Sequence, residues 1–139
     1  MKMFAAHPRS RACNILINYV AGRFMSGCKT YENVIVKRDD RVLVVTINRP
    51  QRRNAVDKNT ASELRDAFTK FDNDDTLDVA VLTGADNTFC AGYDLKSLSL
   101  SDVDELDVNL HGPMGPTRML LSKPCIAAIE GYCVAGVYL

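Results

Sequence analysis

Nothing in this chain approaches the roughly 18 consecutive apolar residues that a membrane-spanning helix needs, so no such helix is expected. Its five cysteines (Cys13, Cys28, Cys90, Cys125, Cys133) contain no C-x-x-C pair and are odd in number, which points to thiols in a reducing compartment and not to a disulfide scaffold. Only His7 and His111 are available as imidazole ligands, and neither is spaced with a cysteine pair, so no metal site is expected. Charge of one sign is also missing. The formal net charge is zero, and residues 1–30 carry five basic side chains (Lys2, Arg9, Arg11, Arg23, Lys29) without one Asp or Glu. The rest holds twelve basic against seventeen acidic groups, a net of −5, which gives no reason to expect nucleic-acid binding.

At 139 residues, 47% of them hydrophobic and 24% charged, the chain is long enough for one domain with a core. The acid-free, Arg-bearing opening resembles a mitochondrial transit peptide, and residues 1–30 are set outside the fold as an unstructured extension. A matrix location follows from that reading. A cytoplasmic one follows if Met3 or Met25 is the true start.

From Tyr31 the pattern is regular. Val34 and Val36 alternate with polar neighbours, Asp39-Asp40 supplies a turn, and Val42 to Ile47 is a β-branched run, so a hairpin is predicted. Asp57 is a plausible N-cap for an amphipathic helix through Ala61, Leu64, Ala67, Phe68 and Phe71. A buried strand is predicted over 78–83, stopped by Gly84, and a helix or loop over 97–109. A short helix is predicted over 114–122 before Lys123-Pro124, and a strand over 125–129. Strands separated by helices at this spacing imply an α/β fold with parallel crossovers.

In such folds ligands gather beyond the C-terminal ends of the strands. Two loops there are rich in small residues: Thr88-Phe89-Cys90-Ala91-Gly92-Tyr93-Asp94-Leu95-Lys96 and Glu130-Gly131-Tyr132-Cys133-Val134-Ala135-Gly136. Glycine allows close backbone approach, and two N–H groups converging from two loops make an oxyanion hole. Either loop alone is an ordinary turn; their order with the neighbouring motifs is more specific.

Asn48-Arg49-Pro50 with Asn54-Ala55, Leu82-Thr83-Gly84, Phe89-Cys90-Ala91-Gly92 with Asp94-Leu95, and Lys123-Pro124 with Ile126-Ala127-Ala128-Ile129 and Gly131-Tyr132 resemble, in that order, the crotonase superfamily of acyl-coenzyme A enzymes. The resemblance runs from about Tyr31 to Gly136 and implies a ββα spiral, truncated, over residues 31–139. It implies a coenzyme A thioester as substrate, no permanently bound cofactor, and trimers or hexamers among complete relatives. The activity implied is enoyl-CoA hydratase, the addition of water to a 2-enoyl thioester. Another crotonase activity (isomerase, dehydratase, thioester hydrolase) remains open, as does a non-catalytic form that binds coenzyme A or full-length subunits.

The resemblance also makes the backbone N–H groups of Tyr93 and Gly136 the oxyanion donors. Arg53, Asn54, Ala55, Ala91, Gly92, Asp94, Leu95 and Lys96 become the coenzyme A contacts. The family continues the second loop as A-G-G-x-E-L, whereas this chain reads Ala135-Gly136-Val137-Tyr138-Leu139. Leu139 stands where the first acid/base Glu is expected, so a partial product without hydratase turnover is expected.

Overall fold

A computed structural model of the chain describes residues 3–6, 31–98 and 114–134. The hairpin forms as predicted. Strand β2 (Val34–Asp39) turns at Asp40, which takes a φ of 52°, and pairs antiparallel with β3 (Val42–Ile47). Helix α1 (Lys58–Asp72) follows, then β4 (Val79–Gly84), the single-turn α2 (Leu95–Leu98) and β5 (Cys125–Ala128). Strands β3, β4 and β5 are mutually parallel, as the spacing requires.

One difference lies at the N-terminus, where a strand β1 (Met3–Ala6) pairs in parallel with β5, giving the order β1-β5-β4-β3-β2. Of the residues set outside the fold on composition, these four therefore add an edge strand. Pairing of backbone groups needs no charge or periodic pattern in the strand that supplies them, so composition is blind to it. The remainder of residues 1–30 lies outside the described residues.

Alternation along the strands builds the core. Leu43, Val45 and Ile47 of β3, Ala80 and Leu82 of β4, and Cys125 and Ala127 of β5 are all buried in one cluster with α1. The helix contributes Ala61, Leu64, Ala67, Phe68 and Phe71, and neither phenylalanine has exposed surface. Truncating either to Ala would cost about 3–5 kcal/mol.

Asp57 caps α1 by accepting the Thr60 N–H at 2.8 Å. At the other end Lys123 donates its ammonium to the carbonyls of Phe71 (3.0 Å) and Asp74 (2.6 Å), closing the helix C-terminus where its dipole favours a cation. The short helix expected over 114–122 is reduced to a 3-10 turn, Pro116–Arg118. Gly115 at a φ of 85° and the extended Met119 bound it on either side, and Leu120 is 90% exposed. Met114, Gly115 and Pro116 are buried, and Met119 and Leu121 pack against the core from an extended path that the positive φ of Gly115 and the extended Met119 impose. Of the region 97–109, only Ser97 and Leu98 are described, in the last two positions of α2.

Candidate functional site

Because β3, β4 and β5 are parallel, the segments that leave them (48–57, 85–94 and 129–134) share the C-terminal end of the strands. The first turns through Pro50–Arg52 and then places Arg53 and Asn54 at φ values of 51° and 55°. The second opens with Asp86 and Asn87, both at 54°, a pair suited to a tight turn with two left-handed residues. Gly84 precedes that turn, and a Cβ there would collide with the carbonyl oxygens of Thr88 and Phe89 and the amide of Asn54. The loop can fold back over the strand end because this position has no side chain.

Asn54 has no exposed surface. Its Oδ1 accepts the Arg49 N–H at 2.9 Å, and its Nδ2 donates to the carbonyls of Ala85 (2.8 Å) and Thr88 (2.5 Å). The residue was expected among the coenzyme A contacts. With its amide engaged on both sides and no surface to offer, its part in the site is to hold the first loop against the second.

Arg49 performs a similar task with charge. Its guanidinium reaches Asp57 at 2.8 Å and Asp94 at 3.2 Å, and donates as well to the Ala55 carbonyl. These carboxylates are only 19% and 10% exposed at the side chain, so the pairing is desolvated and its loss would leave buried charge uncompensated. The other oxygen of Asp94 accepts the Lys96 N–H at 3.2 Å and caps α2.

The loops are further laced by two isolated parallel bridges, Val56 with Tyr93 and Cys90 with Cys133. Phe89 donates to Glu130 O (2.7 Å), Cys90 to Tyr132 O (2.9 Å), Ala91 to Arg53 O (3.0 Å) and Asp94 to Val56 O (2.9 Å). Gly92, at a φ of 92°, donates to Cys90 Sγ at 3.3 Å. Of the amides from Phe89 to Asp94, that of Tyr93 is the one with no acceptor among the described residues. The bridge explains this: Gly92 O and Asp94 N engage Val56, so the intervening peptide groups of Tyr93 point the opposite way. Burial raises the Tyr93 phenol, and the nearby charges of Asp57 and Asp94 raise it further.

The remaining expected contacts divide by exposure. Ala55 is buried and Ala91 half-buried, with their polar groups turned to Arg49 and Arg53. Leu95 is 73% exposed and Lys96 is exposed. Arg53 is exposed and carries its guanidinium 5.3 Å above the Tyr132 ring. Gly136, the second expected donor, lies outside the described residues. The ion-pair role of Arg49 was not anticipated. The Asn-Arg-Pro motif marked the residue, but its partner Asp94 lies 45 positions away.

This arrangement meets its counterparts in known proteins. The sequence profile of the enoyl-CoA hydratase/isomerase family matches residues 37–138. The chain belongs to that family, within the crotonase superfamily. A probable enoyl-CoA hydratase of Mycobacterium bovis is 34% identical over 108 residues, which is 77% of this chain and 42% of that protein. A carnitinyl-CoA dehydratase of Proteus mirabilis is 40% identical over 97 residues, 68% of this chain and 37% of that protein. A crystal structure of enoyl-CoA hydratase from Mycobacterium tuberculosis superimposes with a TM-score of 0.70 at 43% identity, over 76% of this chain and 40% of that one. The chain thus spans about two-fifths of the length of these relatives.

Proposed function

We propose that this segment binds an acyl-coenzyme A thioester with the thioester oxygen on the Tyr93 N–H, as the first half of an oxyanion hole completed by Gly136. The protein is read as an enoyl-CoA hydratase that adds water across a 2-enoyl thioester. The observation that supports this reading is the Tyr93 amide, which has no acceptor among the described residues while its five neighbours are engaged. A donor held rigidly before the ligand arrives stabilises developing enolate charge without reorganisation, and one such donor is typically worth about 10²–10³ in rate. The names hydratase and dehydratase among the relatives describe water addition and removal, which an enolate-stabilising site serves in both directions.

A non-catalytic binding role is the second reading. The two carboxylates whose charge reaches Tyr93 are Asp57 and Asp94, and Arg49 holds both. Titration calorimetry of the 139-residue chain with crotonyl-CoA tests the site. Gly92→Val should abolish binding, because a β-branched residue resists the φ of 92° and rotates the adjoining amide. Unchanged affinity in a folded variant would refute the assignment. Binding without hydration would select the non-catalytic reading.

A further inference from the structure

We propose that Cys90 and Cys133 are a disulfide-forming pair that joins the two site loops on oxidation by a hydroperoxide. Both are thiols in this structure, and they are directly opposed in a parallel bridge bracketed by the bonds Cys90 N–H to Tyr132 O (2.9 Å) and Val134 N–H to Cys90 O (3.2 Å). Paired backbones lie about 4.7–4.9 Å apart, within the range of about 4.4–6.8 Å between the Cα atoms of a disulfide. Opposed residues of a ladder also raise their side chains on the same face. The influence of Cys133 on the Cys90 thiol, which burial and that neighbour both raise, agrees with two sulfurs close together.

The order of events follows from exposure. Cys133 is half-buried, whereas Cys90 is 1% exposed and its thiol resists ionisation. Cys133 as thiolate attacks the peroxide, the O–O bond breaks, and a sulfenic acid forms as the other oxygen leaves and is protonated. The Cys90 sulfur then attacks the Cys133 sulfur, the S–S bond forms, the S–O bond breaks, and water departs with the Cys90 proton. The two sulfurs together lose two electrons, and the peroxide gains them. Cys125, 3% exposed with its thiol pushed up to about 11 by burial, lies in the strand and takes no part.

Bond formation also draws Cys90 Sγ away from the Gly92 N–H that it now accepts at 3.3 Å. That amide neighbours the Tyr93 donor, so oxidation disturbs the donor and weakens ligand binding. This consequence rests on the thioester reading; the disulfide itself does not.

The test is peroxide treatment of the reduced 139-residue chain, alkylation of residual thiols, and digestion with trypsin and a glutamyl endopeptidase. Expected is peptide 71–96 linked to peptide 131–139, each of which contains one cysteine, with the link reversed by dithiothreitol and absent in Cys133→Ser and Cys133→Ala. Cys90 recovered alkylated while Cys133 is a sulfinic acid, or Cys90 linked to another cysteine, would overturn the proposal. Crotonyl-CoA affinity should fall on oxidation of the unaltered chain and hold steady in Cys133→Ser, and equal affinity in the oxidised and reduced chains would overturn the coupling. A chain that forms the link but binds no crotonyl-CoA in either state supports the disulfide and counts against the thioester reading.

Discussion

The loops 85–94 and 129–134 leave neighbouring strands at the same end of the sheet, yet they are held by different means. The first is fixed by buried side chains, the Asn54 amide on Ala85 and Thr88 and the Arg49 guanidinium on Asp94. The second is tied to the first by backbone bonds at Phe89, Cys90 and Val134, and its Tyr132 and Val134 side chains are 55% and 48% exposed. Order therefore passes one way. A buried polar network shapes loop 85–94, and that loop serves as the template for 129–134. Damage to the network should reach both loops, while damage to the second should remain local.

Arg49→Leu should break this hierarchy most severely. Removing one partner of a buried ionic group leaves Asp57 and Asp94 uncompensated, at a cost of about 3–5 kcal/mol. A urea midpoint shift no larger than that of Arg53→Ala, which removes only the exposed stacking on Tyr132, would reverse the proposed order. Asn54→Ala comes next. It removes the acceptor of the Arg49 N–H and a donor to the Ala85 and Thr88 carbonyls, the former keeping only the 3.4 Å bond from the Thr88 N–H, and places Ala at a φ of 55°, for an expected loss of about 2–4 kcal/mol. Faster hydrogen exchange should then appear at Phe89 and Cys90, the donors that hold the second loop, and protection retained there would contradict the template role.

The smallest effect sharpens the contrast from the strand side. Folding raises the Cys125 thiol from its ordinary 9.0 to about 11, through burial alone. Between those values the folded chain keeps a proton that the unfolded chain has released. The associated stability is therefore whole below about pH 9 and is lost as pH rises towards about 11, amounting to roughly 2–3 kcal/mol at most. Denaturation midpoints measured from pH 8 to pH 11 should fall less steeply in Cys125→Ala, and an identical slope would remove this contribution.

Much of the frame was legible because it is periodic. Alternation every second residue marked β2, a β-branched run marked β3, and spacing near 3.6 marked α1 with Asp57 at its cap. The same logic failed over 114–122, where apolar residues sit in series but Gly115 and Pro116 break the backbone path. The site was half legible. Its loops could be located from their small residues and motif order, but the ion pair that holds Asp94 could not.

Sequence alone thus determined what local spacing encodes: the hairpin, the helix and its cap, the parallel strands, and the places where loops of small residues must leave them. Tertiary structure decided the rest. Arg49 finds Asp94 at a separation of 45 residues, the Asn54 amide finds Thr88 at 34, and Lys123 finds the end of α1 at Phe71 across 52. Met3–Ala6 joins β5 from the far end of the chain. No period along the sequence records such pairings, because a charge or an amide is drawn to whichever partner folding buries beside it, and only the packed sheet and helix determine which partner that is.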